Sequence, residues 1–185
     1  FNATALKWHT CAWLLLPVLV FLAGWMHWYA ALPLTLLTAA GLAPRKRKEP
    51  QTRDSLPAFP LFTRSSFLAL AAFAALMALS GWGEWVNQHP DHIVRNACLR
   101  ELVASPWPVI FPDGNVLIYN TGFWLVPALA GKLAGLDAAR MLVVLWGAWG
   151  LFLSWLWLCV FSGRRSLLLA LLMAAFGSLL NLQCW

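Results

Sequence analysis

Residues 81–135 hold Glu84, Asp91, Glu101 and Asp113, two of the four histidines, and the cations Arg95, Arg100 and Lys132. Asp91 is the first candidate for chemistry. A carboxylate at the start of a helix beside a bilayer is placed to act as a general base or a metal ligand; the plainer reading is a solvated helix cap. His89-Pro90-Asp91-His92 puts nitrogen and oxygen donors within four residues. A metal site needs three or more convergent ligands in rigid geometry, and Pro90 interrupts a helical face between the histidines. No metal site is therefore assigned, and the default is hydrogen-bonding histidines at an interface, with a divalent metal left open. Arg95, Arg100, Lys132 and Arg140 could clamp a phosphate or pyrophosphate head group, or simply touch phospholipid. Glu84 offers a second acid, against the plainer reading of a carboxylate in water. Tyr119, Asn120 and Thr121 supply hydroxyl and amide groups that could line a pocket, although an interfacial Tyr explains itself. His9 and His27 are isolated. The chain has no phosphate-binding glycine loop, no nucleophile elbow and no cysteine–histidine zinc spacing.

The elements that must position these groups are apolar helices. The chain is 61% hydrophobic and 11% charged, where soluble chains carry roughly a quarter charged residues. Apolar runs near the length needed to cross roughly 30 Å of hydrocarbon recur. They do not alternate as barrel strands do. The expectation is an all-α, polytopic transmembrane protein whose outer loop carries interfacial helices. Its net charge of +6 is concentrated at Arg45–Lys48 and at Arg164-Arg165. That is the pattern of cytoplasmic loops, not of a nucleic-acid surface. Four scattered cysteines form neither a disulfide framework nor a zinc motif. Several of the 13 tryptophans, Trp25, Trp28, Trp82, Trp85 and Trp107, fall where an outer boundary is needed.

In chain order, residues 11–43 would make a single helix of roughly 50 Å, too long for one crossing. A break at GWMHWY divides the run, giving a hairpin over residues 6–43. A Pro-rich basic cytoplasmic loop follows at 44–60, then a crossing at 61–81 and the outer loop at 82–137. A second crossing covers 138–161, a cytoplasmic turn 162–166 and a third crossing 167–185. Within the outer loop, residues 91–105 form an amphipathic helix. Val94, Cys98 and Leu102 share its apolar face with Ile93 and Ala97 beside them, while His92, Arg95, Asn96 and Arg100 take the other. Ser105-Pro106-Trp107-Pro108 stops that helix and Pro112-Asp113-Gly114-Asn115 is a turn. Residues 119–135, with Pro127 and Lys132, sit at the lower limit for spanning. The two basic clusters share one side if this segment stays in the outer interface.

This order resembles membrane glycosyltransferases of the GT-C superfamily, of the protein O-mannosyltransferase and aminoarabinose-transferase types that use polyprenyl-phosphate sugars. Asp91 opens a helix carrying Arg95 and Arg100. Trp107-Pro108-Val109 follows in the loop, Tyr119 begins a juxtamembrane helix with Pro127-Ala128 at its middle, and Lys132-Leu133-Ala134-Gly135-Leu136 leads to Ala139-Arg140 at the next crossing. The similarity covers about residues 82–165. Two steps depart from it: Asp91 is followed by His92 where the family has an acidic pair, and YNTGFWLVP replaces a KPPL step.

The resemblance implies the N-terminal part of a larger multi-pass enzyme of a bacterial inner or plasma membrane. It would move a sugar from a polyprenyl-phosphate donor to an acceptor at the outer face. Asp91 would be catalytic, with Arg95, His92, Tyr119, Lys132 and Arg140 binding substrate. Its partners would be the lipid-linked donor and membrane lipids, with no nucleic acid and no assigned cofactor. The alternative from another class is a non-catalytic polytopic protein, an assembly subunit or a transporter component.

Overall fold

The computed structural model describes residues 3–42, 63–86, 88–119 and 121–178. Seven α-helices account for most of them: α1 (Ala3–Trp25), α2 (Trp28–Leu42), α3 (Arg64–Leu79), α4 (Pro90–Ala104), α5 (Gly122–Ala134), α6 (Leu136–Ser162) and α7 (Leu167–Ser178). No strand occurs among the described residues; a single antiparallel bridge joins Ile110 and Val116. The expected cytoplasmic loop at 44–60 and the last residues of the expected crossing at 167–185 lie outside the described residues.

The helix boundaries follow from local chemistry. Helix α1 ends at Trp25 and α2 begins at Trp28, so the chain breaks at Met26 and His27. Thr63 caps α3, its hydroxyl accepting the Ser66 N–H at 3.2 Å. Pro90 occupies the first turn of α4, where its missing N–H costs nothing, and Asp91 sits at the positive helix end. Gly135 alone separates α5 from α6, in a φ of 91° that a glycine adopts without penalty. Helix α6 ends at Gly163, in left-handed conformation.

Two described helices are long and apolar enough to cross a membrane: α1 over Thr4–Trp25, 22 residues, and α6, 27 residues. The others are shorter. At 1.5 Å per residue the 13 residues of α5 span about 20 Å, well short of the ~30 Å hydrocarbon layer.

Helix α6 is the axis of the fold. Along one length it packs against α1, α3 and α7, and towards its start against α5 and α4. The first contact buries Leu6, Phe73, Met77, Phe152, Trp155 and Cys159. The second buries Cys98, Leu99, Leu102, Val109, Trp124 and Leu125 around Ala139 and Val143. At Gly131 three helices meet; a Cβ there would lie 2.5 Å from Val103 and 2.8 Å from Ala139. Only a hydrogen side chain lets α5 approach α4 and α6 this closely.

The face of α4 that packs inward differs from the expected one. His92, Asn96, Cys98, Leu99 and Leu102 are buried, while Ile93 and Val94 are 61% and 53% exposed. Leu99 and Leu102, which reach the contact with α5, set the rotation of the helix. His92 and Asn96 lie on the same stripe at helical spacing and are carried inward with them.

Candidate functional site

The segment 81–89, between α3 and α4, organises the polar groups. Gly81 turns the chain out of α3 with a φ of 93°, and Glu84 follows with a φ of 62°. A non-glycine residue in this left-handed region carries a cost on the order of 1–3 kcal/mol and persists only where its surroundings fix it. Here the side chain supplies the constraint. Glu84 Oε2 accepts a hydrogen bond from Arg100 Nη2 at 2.7 Å and another from Arg140 Nη2. The carboxylate is 9% exposed, and Oε1 is buried without a partner among the described residues. Asp137 accepts from Arg140 Nη1 at 2.8 Å on the outer side. Glu84 is thus not the water-exposed carboxylate that the sequence suggests. It joins α4 to α6.

Trp82 is the apolar centre of the same segment. It stacks on Trp124 with ring centroids 5.3 Å apart, meets Phe123 edge-on at 5.1 Å and meets His92 edge-on at 5.8 Å. The Arg95 guanidinium lies 5.4 Å from the Trp82 ring centroid, an attraction between cation and ring face. Arg95 makes no hydrogen bond among the described residues, so its N–H groups remain available. His92 is buried, and its Nδ1 has no partner there. Burial, and then the nearby Arg95, hold its pKa below 6.5, although Asp91 pulls the other way. Gln88 ties the segment together, donating to the carbonyls of Gly81 at 3.1 Å and Val86 at 2.6 Å and accepting from Asn96 Nδ2 at 2.7 Å.

Asp91 stands apart. Its side chain is 70% exposed, with His89 Nδ1 3.7 Å from Oδ2. That nitrogen accepts the Asp91 backbone N–H at 3.4 Å, so its lone pair faces the chain and cannot also donate to the carboxylate. The other described acidic groups are engaged. Glu84 and Asp137 hold arginines, Glu101 accepts from Ser105 at 3.2 Å, and Asp113 accepts from the backbone and side chain of Asn115. Those Asn115 bonds also lower the Asp113 pKa. Arg95 does not pair with Asp91; it turns to Trp82.

The remaining candidates are dispersed. Lys132 donates to the Ser105 carbonyl at 2.5 Å and the Val103 carbonyl at 3.4 Å, with its ammonium 5.0 Å from the Trp107 ring centroid. It closes the end of α4 instead of standing free. Tyr119 is 47% exposed, and its carbonyl faces the Cys98 thiol at 3.9 Å. Burial pushes that thiol up to about 11, so it stays protonated and inert. Arg140 is committed to Glu84 and Asp137. No group of three metal-ligating side chains converges among the described residues.

Three residues central to this geometry escape a sequence reading: Trp82 as a packing centre, Gln88 as a clamp and Glu84 as an ionic tie. The one available signal was GWGEW itself, an acid set among glycines and tryptophans where the chain must turn sharply. Comparison of the chain with protein families, curated proteins and solved structures finds no match.

Proposed function

We propose that this chain is a multi-pass membrane glycosyltransferase of the GT-C kind. It takes a sugar from a polyprenyl-phosphate donor at the outer face, with Asp91 as the catalytic carboxylate. Support for the membrane setting comes from the outward helix faces, which are as apolar as the buried ones. Leu36, Leu37, Phe67, Leu145, Phe161 and Leu168 are all more than half exposed, a surface that suits lipid and not water. Both basic clusters lie on one side if α5 stays in the outer interface, as its length favours.

One observation carries the catalytic assignment. Among the described acidic side chains, Asp91 alone accepts no hydrogen bond and pairs with no arginine or lysine. A base must offer a free lone pair to the acceptor hydroxyl, and this carboxylate offers one. The acceptor oxygen would attack the anomeric carbon as the bond to the phosphate oxygen breaks, with inversion, and Asp91 would take the hydroxyl proton. Arg95, one turn along α4 with its N–H edge unbonded, would meet the charge developing on the phosphate. Arg140 and Lys132 are already engaged and serve the frame.

The test is transfer of radiolabelled sugar from a polyprenyl-phosphate donor by the protein in membranes. Asp91→Asn keeps shape while removing the base, and turnover should fall about 10²–10⁴-fold at unchanged expression. Normal transfer by Asp91→Asn refutes the assignment. Absence of transfer by the unmutated protein favours a docking or assembly role.

A further inference from the structure

We propose that Glu84 is a positioning residue. Its charge ties the segment 81–89, which grips the first half of α4 and so Asp91, to α6 and to the second half of α4. The inference rests on the Asp91 reading only for its effect on turnover; the geometry stands by itself.

The apolar grip on α4 is uneven. Cys98, Leu99 and Leu102 anchor its second half, and Lys132 closes its end. On the first half, Ile93 and Val94 face outward and give no apolar purchase. That half is held instead by polar and aromatic ties that originate in the segment 81–89. Trp82 meets His92 and Gln88 meets Asn96, while Glu84, from the same segment, meets Arg100 in the second half. Of these, Glu84 alone also bonds to α6, through Arg140. Cutting the other two would loosen α4 from its own preceding loop. Cutting Glu84 frees the segment 81–89, and the half of α4 that it grips, from α6, while Cys98, Leu99 and Leu102 keep the second half in place.

The residue suits this task and not a proton transfer. Two guanidinium groups converge on a single oxygen, and the carboxylate is nearly enclosed. Its left-handed backbone aims the side chain back across the turn, towards both arginines at once. A neutral amide oxygen in its place could accept from both arginines, but could not balance two cations.

The experiment has two arms on the full chain in nanodiscs, with native cysteines replaced. Spin labels at Ala97 on α4 and Met141 on α6, both exposed, report the distance between the helices by pulsed electron resonance. The unmutated chain should give one narrow distribution. Glu84→Gln should broaden or shift it, Arg140→Gln should do the same, and the double variant should add little. Glu84→Asp, which keeps the charge, should recover part of the order. If Glu84→Gln does not fold, Arg100→Gln and Arg140→Gln read the tie from its other ends. In the second arm, Glu84→Gln should lower kcat about 10²-fold and leave KM within about twofold. An unchanged distribution in these variants overturns the proposal. So does a raised KM with normal kcat, which would make Glu84 a binding group. A broadened distribution alongside undiminished transfer by Asp91→Asn upholds the tie and removes the Asp91 reading.

Discussion

Where α6 meets α1 and α3, the chain is held mostly by shape, with two indole N–H groups crossing between the helices, Trp13 to the Trp146 carbonyl and Trp157 to the Thr10 hydroxyl. Trp13 lies in the space left by Gly150, and Met77 in that left by Gly147. Where α6 begins, against α4 and α5, it is held by placed polar groups: Glu84 between two arginines, Gln88 on two carbonyls, Lys132 on two more. The first kind of contact is dense, interchangeable and tolerant of no extra volume. The second is sparse, and each bond in it has a direction. A bundle of the first kind sets stability, while a layer of the second kind sets the place of individual atoms. The candidate chemistry falls in the layer.

That contrast can be broken. The largest effect should come from Trp155→Ala in the bundle, where the ring is fully buried and its N–H is bonded to the Ser166 carbonyl at 3.0 Å. Stability against unfolding in mixed micelles should fall by about 3–5 kcal/mol, while the distance between labels on α4 and α6 keeps its narrow spread. Loss of that spread would mean that the two regions are one cooperative unit.

A smaller effect sharpens the role of shape. Gly150→Ala should cost about 1–3 kcal/mol in the same assay. A Cβ there would lie 2.4 Å from the rigid Trp13 ring. Gly147→Ala should cost less, although its Cβ would lie even closer to Met77, because the atom in the way is a terminal methyl that can rotate aside. Equal costs would show that crowding alone, and not the stiffness of the neighbour, governs the bundle.

The smallest effect concerns pH in the layer. The folded chain holds the His92 pKa below 6.5, so the unfolded chain binds the proton more readily. The stability contributed by His92 is full above pH 6.5. It declines as pH falls from there through the lowered value, and then levels. The unfolding midpoint should drop between pH 7.5 and 5.5, and His92→Gln should flatten that slope. An identical slope in the variant would assign the dependence to other groups.

The helices were legible in the sequence because apolar length and helix starts are local properties: the apolar runs at 61–81 and 138–161, and Asp91 following Pro90 at the start of α4. The rotation of α4 was not. Periodicity alone cannot choose between a stripe through Val94 and one through Leu99, since the choice depends on which stripe meets Trp124 and Leu125 on α5. The partners of buried polar groups were equally hidden. His92 and Asn96 look like a wet face until Trp82 and Gln88 are seen across from them. Lys132 looks like a phosphate ligand until the carbonyls of Ser105 and Val103 are in reach. Asp91 was legible as an acid at a helix start, but its freedom from partners could emerge only once the other described carboxylates had been accounted for.

Lys132 also bears on the order in which the molecule is made. Its ammonium caps Ser105, 27 positions earlier, and Arg140 reaches back 56 positions to Glu84. As the chain is synthesised, α4 therefore emerges with the Val103 and Ser105 carbonyls still waiting for Lys132 and Glu84 with only one of its arginines. The layer around Asp91 cannot close until α5 has docked and the first turns of α6 have formed. Completion of the site is tied to the arrival of the long apolar helix that follows it.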